Sequence, residues 1–358
     1  MINVYLINAF ALVCSIYLYG CNTLSLKLAD NHEINLSHVF FMCFWFILLS
    51  LEYGLRGNFC ADYEPYRVWF NQAQNWNLDY IIRTDNIEKG FMLLNYLVAR
   101  FTSEYHVMTL TFGVLTVGAY FVSIKHNCNV FWPPILILIG TGIYYGGFNL
   151  STQMLAASVF AISVKFIYER KPVKYIFLIL IAASIHKSAL FLLPLYFISY
   201  VKLNAKNRFV AVLILIFVSL IVVPFSRPLS IFISGFIYDD TFAKTLASGY
   251  SWVYLTRFLV ITAIIIRFNK LFDMENVKDK VIYLGSILCC VVVVFSMQLS
   301  LIQRFAYYFL IFPMIAYAHI IEKYKGDKAF LSAIYVALFS VMQIGFFFNT
   351  YYTYMNNL

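Results

Sequence analysis

Between Leu55 and Phe70 the chain reads LRGNFCADYEPYRVWF, which sets Arg56, Asp62, Glu64 and Arg67 among aromatic side chains. Further along stand Glu88, the pair His186-Lys187, Arg257 and Arg304. A planar guanidinium makes paired contacts with phosphate oxygens and keeps its charge when partly desolvated. Fixed cations also stabilise the charge that develops as a diphosphate departs. A carboxylate or imidazole beside them can take the proton of an attacking hydroxyl. Asp62 is the best-placed base, with Glu88 and His186 behind it. Tyr63, Tyr66, Trp69 and Trp76 could stack on sugar rings. Each residue also has a plainer reading. Asp62 can pair with Arg56, or cap a helix that begins near Pro65. The tyrosines and tryptophans suit any membrane interface.

The elements that must position these groups are apolar. Of 358 residues, 62% are hydrophobic and only 12% charged, half the charge of an average soluble protein. Apolar runs of about 15 to 20 residues recur, each long enough to cross a hydrocarbon core. They do not alternate as the strands of a membrane barrel would. The fold class is therefore all-α, a polytopic membrane bundle of about twelve segments. They are expected near 2–22, 38–53, 106–124, 130–147, 152–169, 173–186, 188–201, 208–226, 252–270, 279–298, 304–322 and 328–349. The first, from Ile2 to Gly20, has neither the basic flank nor the cleavage site of a signal peptide and reads as a retained helix. Residues 1–358 read as one membrane domain, with two larger outer-face loops at 54–105 and 227–251. Within the first loop, Gly90 to Phe101 is too short to span and reads as an interfacial helix.

The net charge of +9 is not gathered into one patch, which gives no footprint for nucleic acid. Fifteen of the 26 Lys and Arg fall in short loops on one face once the N-terminus is placed outside, as the positive-inside rule requires. That assignment needs residues 173–201 to be a tight hairpin turning at His186-Lys187-Ser188. A single long helix would invert the charge bias. Arg257 and Arg304 then lie just inside membrane segments near the outer face. Charge there is costly, hence a functional candidate, although either side chain can snorkel to lipid phosphates. A lipid-linked diphosphate suits such a cluster, since its tail lies in the membrane and its charged head at the interface.

Other chemistries find little support. Asp239-Asp240 is an acidic pair without a third ligand, so no metal is expected. No phosphate-binding loop, serine elbow or HExxH is present, and no cofactor is implied. Seven cysteines lack zinc-type spacing and read as small apolar core residues. His126 and His319 sit at helix ends on the basic face, where ordinary structural roles suffice.

Five stretches carry a resemblance: LRGNFCADYEPY (55–66), EKGFMLLNYLV (88–98), TQMLAASVFAISVKFIYERKPVKY (152–175), LIAASIHKSALFLLPLYFI (180–198) and IQRFAYYFLIFP (302–313). In this order and spacing the chain resembles the EpsG-type branch of the Wzy polysaccharide polymerases, bacterial inner-membrane proteins that assemble O-antigen and exopolysaccharide. The resemblance implies metal-independent, inverting glycosyl transfer at the periplasmic face. The donor would be an undecaprenyl-diphosphate-linked oligosaccharide; other partners would be membrane lipid, a chain-length regulator and a flippase. It matches Arg56, Asp62 and Tyr63, then His186 and Arg304, to family positions. Asp62, His186 and Glu88 become the catalytic candidates. Arg56, Tyr63, Tyr66, Gln153, Lys187, Arg257, Gln303 and Arg304 become the substrate-binding ones. One departure stands out: the family often has Arg-Gln where this chain has Thr152-Gln153. Arg257 or Lys187 would then supply the missing charge. An O-antigen ligase, another surface-glycan transferase or a lipid-oligosaccharide flippase remain open alternatives.

Overall fold

A computed structural model describes residues 25–27, 33–57, 62–85, 87–202, 217, 252–296, 300–328, 330–332, 334–335 and 337–338. Apart from a short antiparallel pair, β1 (Ser25–Lys27) with β2 (Glu33–Asn35), the described residues form helices. Two compact units interleave along the chain: residues 1–127, 142–165 and 172–194 make the first, and 128–141, 166–171 and 195–358 the second.

In the first unit, α1 (Leu36–Gly54) packs along α5 (Tyr105–Asn127). Between them lie the short helices α2 (Tyr63–Ala73), α3 (Leu78–Arg83) and α4 (Lys89–Ala99). The expected 54–105 loop is thus largely helical. Its α2 begins close to Pro65, and its α4 covers most of the run expected as an interfacial helix. Hydroxyls tie the long helices together where water is absent. The Thr109 hydroxyl donates to the Gly54 carbonyl at 2.6 Å, which closes the end of α1. Ser123 of α5 donates at 2.7 Å to the Ala161 carbonyl of α8 (Ser151–Tyr168). Outward faces carry Phe40, Ile47 and Leu51 on α1 and Val114, Leu115 and Val122 on α5, all exposed. Apolar surface of that extent suits lipid rather than water.

Residues 130–147, expected as one membrane segment, form two short helices instead: α6 (Trp132–Gly140) and α7 (Ile143–Gly146). The break falls at Gly142, whose φ of 75° belongs to the left-handed region that an α-helix of L-residues cannot continue through. Residues 173–201 do fold back as a hairpin. Helix α9 (Pro172–Ile185) ends at His186, and a 3-10 segment runs from Lys187 to Tyr200. The Tyr175 hydroxyl donates to the Leu192 carbonyl at 2.6 Å, a contact one straight helix could not make across 17 residues. The 3-10 winding has a physical use. Fourteen residues rise about 21 Å as an α-helix but about 28 Å as a 3-10 helix, close to the thickness of a hydrocarbon core. Pro194, which lacks an N–H, lies inside that segment.

In the second unit, α10 (Trp252–Arg267) and α13 (Ile311–Lys323) pack with α11 (Val277–Ser296), and α6 lies against α13. Helix α12 (Ser300–Phe309) precedes α13. From Ile311 to Ile321 every residue of α13 is buried. Its end is held by Asp279, which accepts hydrogen bonds from Lys323 Nζ at 2.8 Å and from the Asp273 N–H at 2.9 Å. His319 Nε2 lies 3.3 Å from the same carboxylate, its ring stacked on Phe272.

Among the described residues, three helical runs are long and apolar enough to cross a membrane: Tyr105–Asn127, Ser151–Tyr168 and Arg304–Lys323. Val39–Gly54, Pro172–Ile185 and Lys187–Tyr200 are shorter apolar helices. The expected segment 2–22, all of 208–226 except Phe217, most of 328–349, and the loop 227–251 lie outside the described residues.

Candidate functional site

The sequence-predicted residues of the first unit converge on the N-terminal end of α8. That end is presented by the turn Gly147–Leu150, which is clamped from α1: the Tyr53 hydroxyl donates to the Gly147 carbonyl at 2.6 Å. Tyr144 secures the other side by donating to the Leu49 carbonyl. Three residues beyond Tyr53, Arg56 is only 3% exposed. Its guanidinium lies 4.7 Å from the centroid of the Tyr53 ring, and its Nη2 donates to the Ser151 hydroxyl at 2.8 Å. A guanidinium is thereby fixed at the first residue of a helix. The unsatisfied N–H groups of that first turn add partial positive charge to the same place.

Asp62 precedes α2, but its carboxylate does not cap the helix. Its backbone N–H instead donates to Asn149 Oδ1 at 2.9 Å, which ties the start of α2 to the turn before α8. One turn along α2, the Tyr66 hydroxyl sits 3.2 Å from Thr152 Oγ1, and its ring packs edge-on against Phe91. Burial pushes the Tyr66 phenol up, and the nearby Asp62 charge adds to this despite the opposing Thr152 hydrogen bonds. Tyr66 is therefore protonated at neutral pH, and either hydroxyl of the Tyr66–Thr152 pair can donate. Thr152 Oγ1 also lies 3.4 Å from His186 Nδ1. A chain of hydroxyls thus runs from Tyr66 through Thr152 to the imidazole.

His186 reaches this point because the hairpin turns there, its N–H bonded to the Ala182 carbonyl and its carbonyl to the Ala189 N–H. Next to it, the Lys187 N–H donates to Glu88 Oε1 at 3.4 Å. Gly90 allows this approach. A Cβ there would stand 2.8 Å from the carbonyl carbon and oxygen of Ser184, so only glycine lets α4 lie against α9 at this point. Gln153 is buried beside Thr152, and the Lys187 side chain is exposed.

The aromatic residues divide. Tyr63 is buried, edge-on to Tyr105 at 5.0 Å, and Trp76 is buried between Trp69 and Tyr80. Trp69 and Tyr66 are half-buried. Arg304 belongs to the second unit and is half-buried in α12. The side chains of Arg257 and Gln303 lie outside the described residues. Among the described residues no three His, Cys, Asp or Glu side chains gather as ligands for a metal ion.

Three residues of this cluster were not candidates on sequence: Asn149, Ser151 and Thr152. A signal was present, because the run Asn149-Leu150-Ser151-Thr152-Gln153 is four-fifths polar and follows an apolar, aromatic stretch. In the sequence Thr152 stands out only as the residue in place of the family's arginine.

Apolar helices with exposed apolar faces, and a buried arginine grouped with hydroxyls and a half-buried imidazole at a helix N-terminus, define a helical membrane protein with a polar site in one unit. The model of the EpsG family matches residues 39–357, and the chain belongs to that family. No curated protein and no solved structure matches it.

Proposed function

We propose that this protein is a membrane polysaccharide polymerase. In this function it joins undecaprenyl-diphosphate-linked oligosaccharide repeat units at the periplasmic face of the bacterial inner membrane, within a bundle of about twelve spans. Family membership supports the class. The observation that carries the site is the buried Arg56 guanidinium donating to Ser151 at the N-terminus of α8, with Asp62, Tyr66 and His186 grouped about the same helix end.

The chemistry follows from that grouping. The diphosphate of the donor lies against Arg56 and the first turn of α8, where guanidinium and helix dipole both favour an anion. A hydroxyl of the acceptor glycan attacks the anomeric carbon. A carbon–oxygen bond forms there as the bond to the diphosphate oxygen breaks, with inversion. The hydroxyl's proton passes to the Asp62 carboxylate, with Glu88 as the second candidate. The leaving diphosphate keeps the electron pair, and the fixed cations stabilise it.

His186 acts as a donor. Tyr66, protonated, gives its hydrogen to Thr152 Oγ1, and Thr152 gives its own to His186 Nδ1. The imidazole proton then stands on Nε2, from which it is given to a phosphate oxygen as the donor binds. Tyr66 and Gln153 hold the helix end and its ligand, and Lys187 adds charge at the rim. Tyr63, Arg257, Gln303 and Arg304 enter this proposal through the family resemblance alone, as do a chain-length regulator and a flippase as partners.

The test is genetic. The gene is deleted in its native strain and complemented with wild type, Arg56→Ala, Asp62→Asn or His186→Ala at matched expression, and surface polysaccharide is resolved as a ladder on a gel. Core capped by a single repeat unit, in the deletion and in each variant, is the expected result. Bare core with polymer accumulating on the lipid carrier would identify a ligase instead. Bare core without lipid-linked polymer would place the protein at flipping or an earlier step.

A further inference from the structure

At the lysine-rich end of the second unit lies an open cavity of about 750 Å³, lined by Lys270, Lys323, Lys325, Lys328, Glu322 and Tyr324 among others. Four lysines face one carboxylate, and that carboxylate is already engaged. Glu322 accepts the N–H of Asn129 at 2.8 Å, the Asn129 side-chain amide at 3.2 Å and the N–H of Val130 at 3.3 Å. Two lysines have structural partners as well. Lys323 is paired with Asp279 at 2.8 Å, and Lys328 Nζ donates to the Glu322 carbonyl at 3.0 Å. Lys270 and Lys325 remain. Both are exposed, and among the described residues neither has a carboxylate within ion-pair distance.

The place of the cavity matters as much as its charge. It opens where the candidate span Arg304–Lys323 ends, and the end of a span is where a helix meets lipid headgroups. One lining residue, Tyr324, is aromatic, its ring edge-on to Phe268 at 5.5 Å, a pairing suited to the interface. Lysines at a helix C-terminus often serve only to satisfy the last carbonyls, and Lys328 does so here. Lys270 lies in a 3-10 turn, Asn269–Leu271, that follows α10, and among the described residues its side chain makes no such bond.

We propose that this cavity binds a phosphate-bearing anion, the headgroup of an anionic phospholipid, through Lys270 and Lys325. The site is separate from the polymerase cluster and does not depend on the reading of that cluster.

The full-length protein, purified in detergent, is titrated with short-chain phosphatidylglycerol and with phosphatidylcholine, and bound lipid is counted by native mass spectrometry. Wild type should retain phosphatidylglycerol preferentially. Lys270→Gln/Lys325→Gln should bind it about 30-fold more weakly, at about fivefold for each lysine near an anionic lipid. Lys125→Gln, at the basic end of a different span, should bind as wild type does. Because both lysines are exposed and unpaired, the double variant should unfold at the wild-type temperature; Lys325→Gln alone, expected at about fivefold, gives an independent reading. Competition by inorganic phosphate would show that the phosphate itself is recognised; no competition would show that the acyl chains are needed with it. Equal retention of both lipids, unchanged binding by the double variant, or an equal loss in Lys125→Gln would overturn the proposal.

Discussion

Arg56 illustrates how much of a site can hang on side-chain shape. Its guanidinium meets the Tyr53 ring face and the Ser151 hydroxyl together, which a point charge on a flexible stem cannot reproduce. Arg56→Lys should therefore fail almost as fully as Arg56→Ala, with transfer slowed about a hundredfold or more if its donors stabilise the leaving diphosphate. Transfer of lipid-linked repeats by membranes holding equal amounts of each variant would measure this, and near-normal rates in the lysine variant would reduce Arg56 to a charge. Thr152 makes a sharper test. Thr152→Val keeps the shape and removes the hydroxyl that links Tyr66 to His186. A loss of about tenfold to a hundredfold is expected, by comparison with metal-bound histidines that lose the group orienting them, while Thr152→Ser should keep most activity. Equal rates in the valine and serine variants would remove the hydroxyl from the mechanism. Arg56, Asp62 and His186 could be picked from sequence because charge in an apolar chain is conspicuous. Thr152, Ser151 and Asn149 could not, because a hydroxyl or amide is common in membrane helices and its role depends on which partner lies across from it.

At the scale of elements, patterning served well where a helix is long and uniform, as in α5 and α8. It served badly where backbone geometry decides. The expected segment 130–147 is apolar throughout, and only the left-handed φ of Gly142 divides it. Charge balance, not a local turn signal, points to the hairpin at His186, and the Tyr175–Leu192 hydrogen bond agrees with it. Periodicity could not announce the 3-10 winding of its second arm. Gly90 lies within a stretch that matches the family, but its use is visible only in three dimensions, where α4 approaches Ser184 of α9. Gly90→Ala should push these helices apart at a cost of about 1–3 kcal/mol and draw Glu88 away from the Lys187 N–H. Activity should fall at least tenfold while the protein still inserts. Ser184→Ala added to it should not rescue, because the backbone of Ser184 obstructs as well as its hydroxyl. A Gly90→Ala variant with wild-type ladder and unfolding temperature would show that the two helices can part without consequence.

For the whole molecule, the hairpin decides which way the chain is threaded. Lys174 and Lys202 lie at the two open ends of its arms, and Ser188 lies at its turn. If the arms return to the face they left, cysteines placed at 174 and 202 react with a membrane-impermeant maleimide from one side, and a cysteine at 188 from the other. Arms of 14 residues each can do this only if the second is stretched by its 3-10 winding and the first is tilted or meets a thinned bilayer. Whole cells should label Ser188→Cys, and inverted vesicles Lys174→Cys and Lys202→Cys, in a background lacking the seven native cysteines. That pattern sets His186 and the N-terminus of α8 on the outer face, where lipid-linked glycans would have to meet them, and sets the basic loops inside. Labelling of 174 and 188 from the same side would mean that α9 does not cross, and the cluster around Thr152 would then lie on the face where the positive charges are.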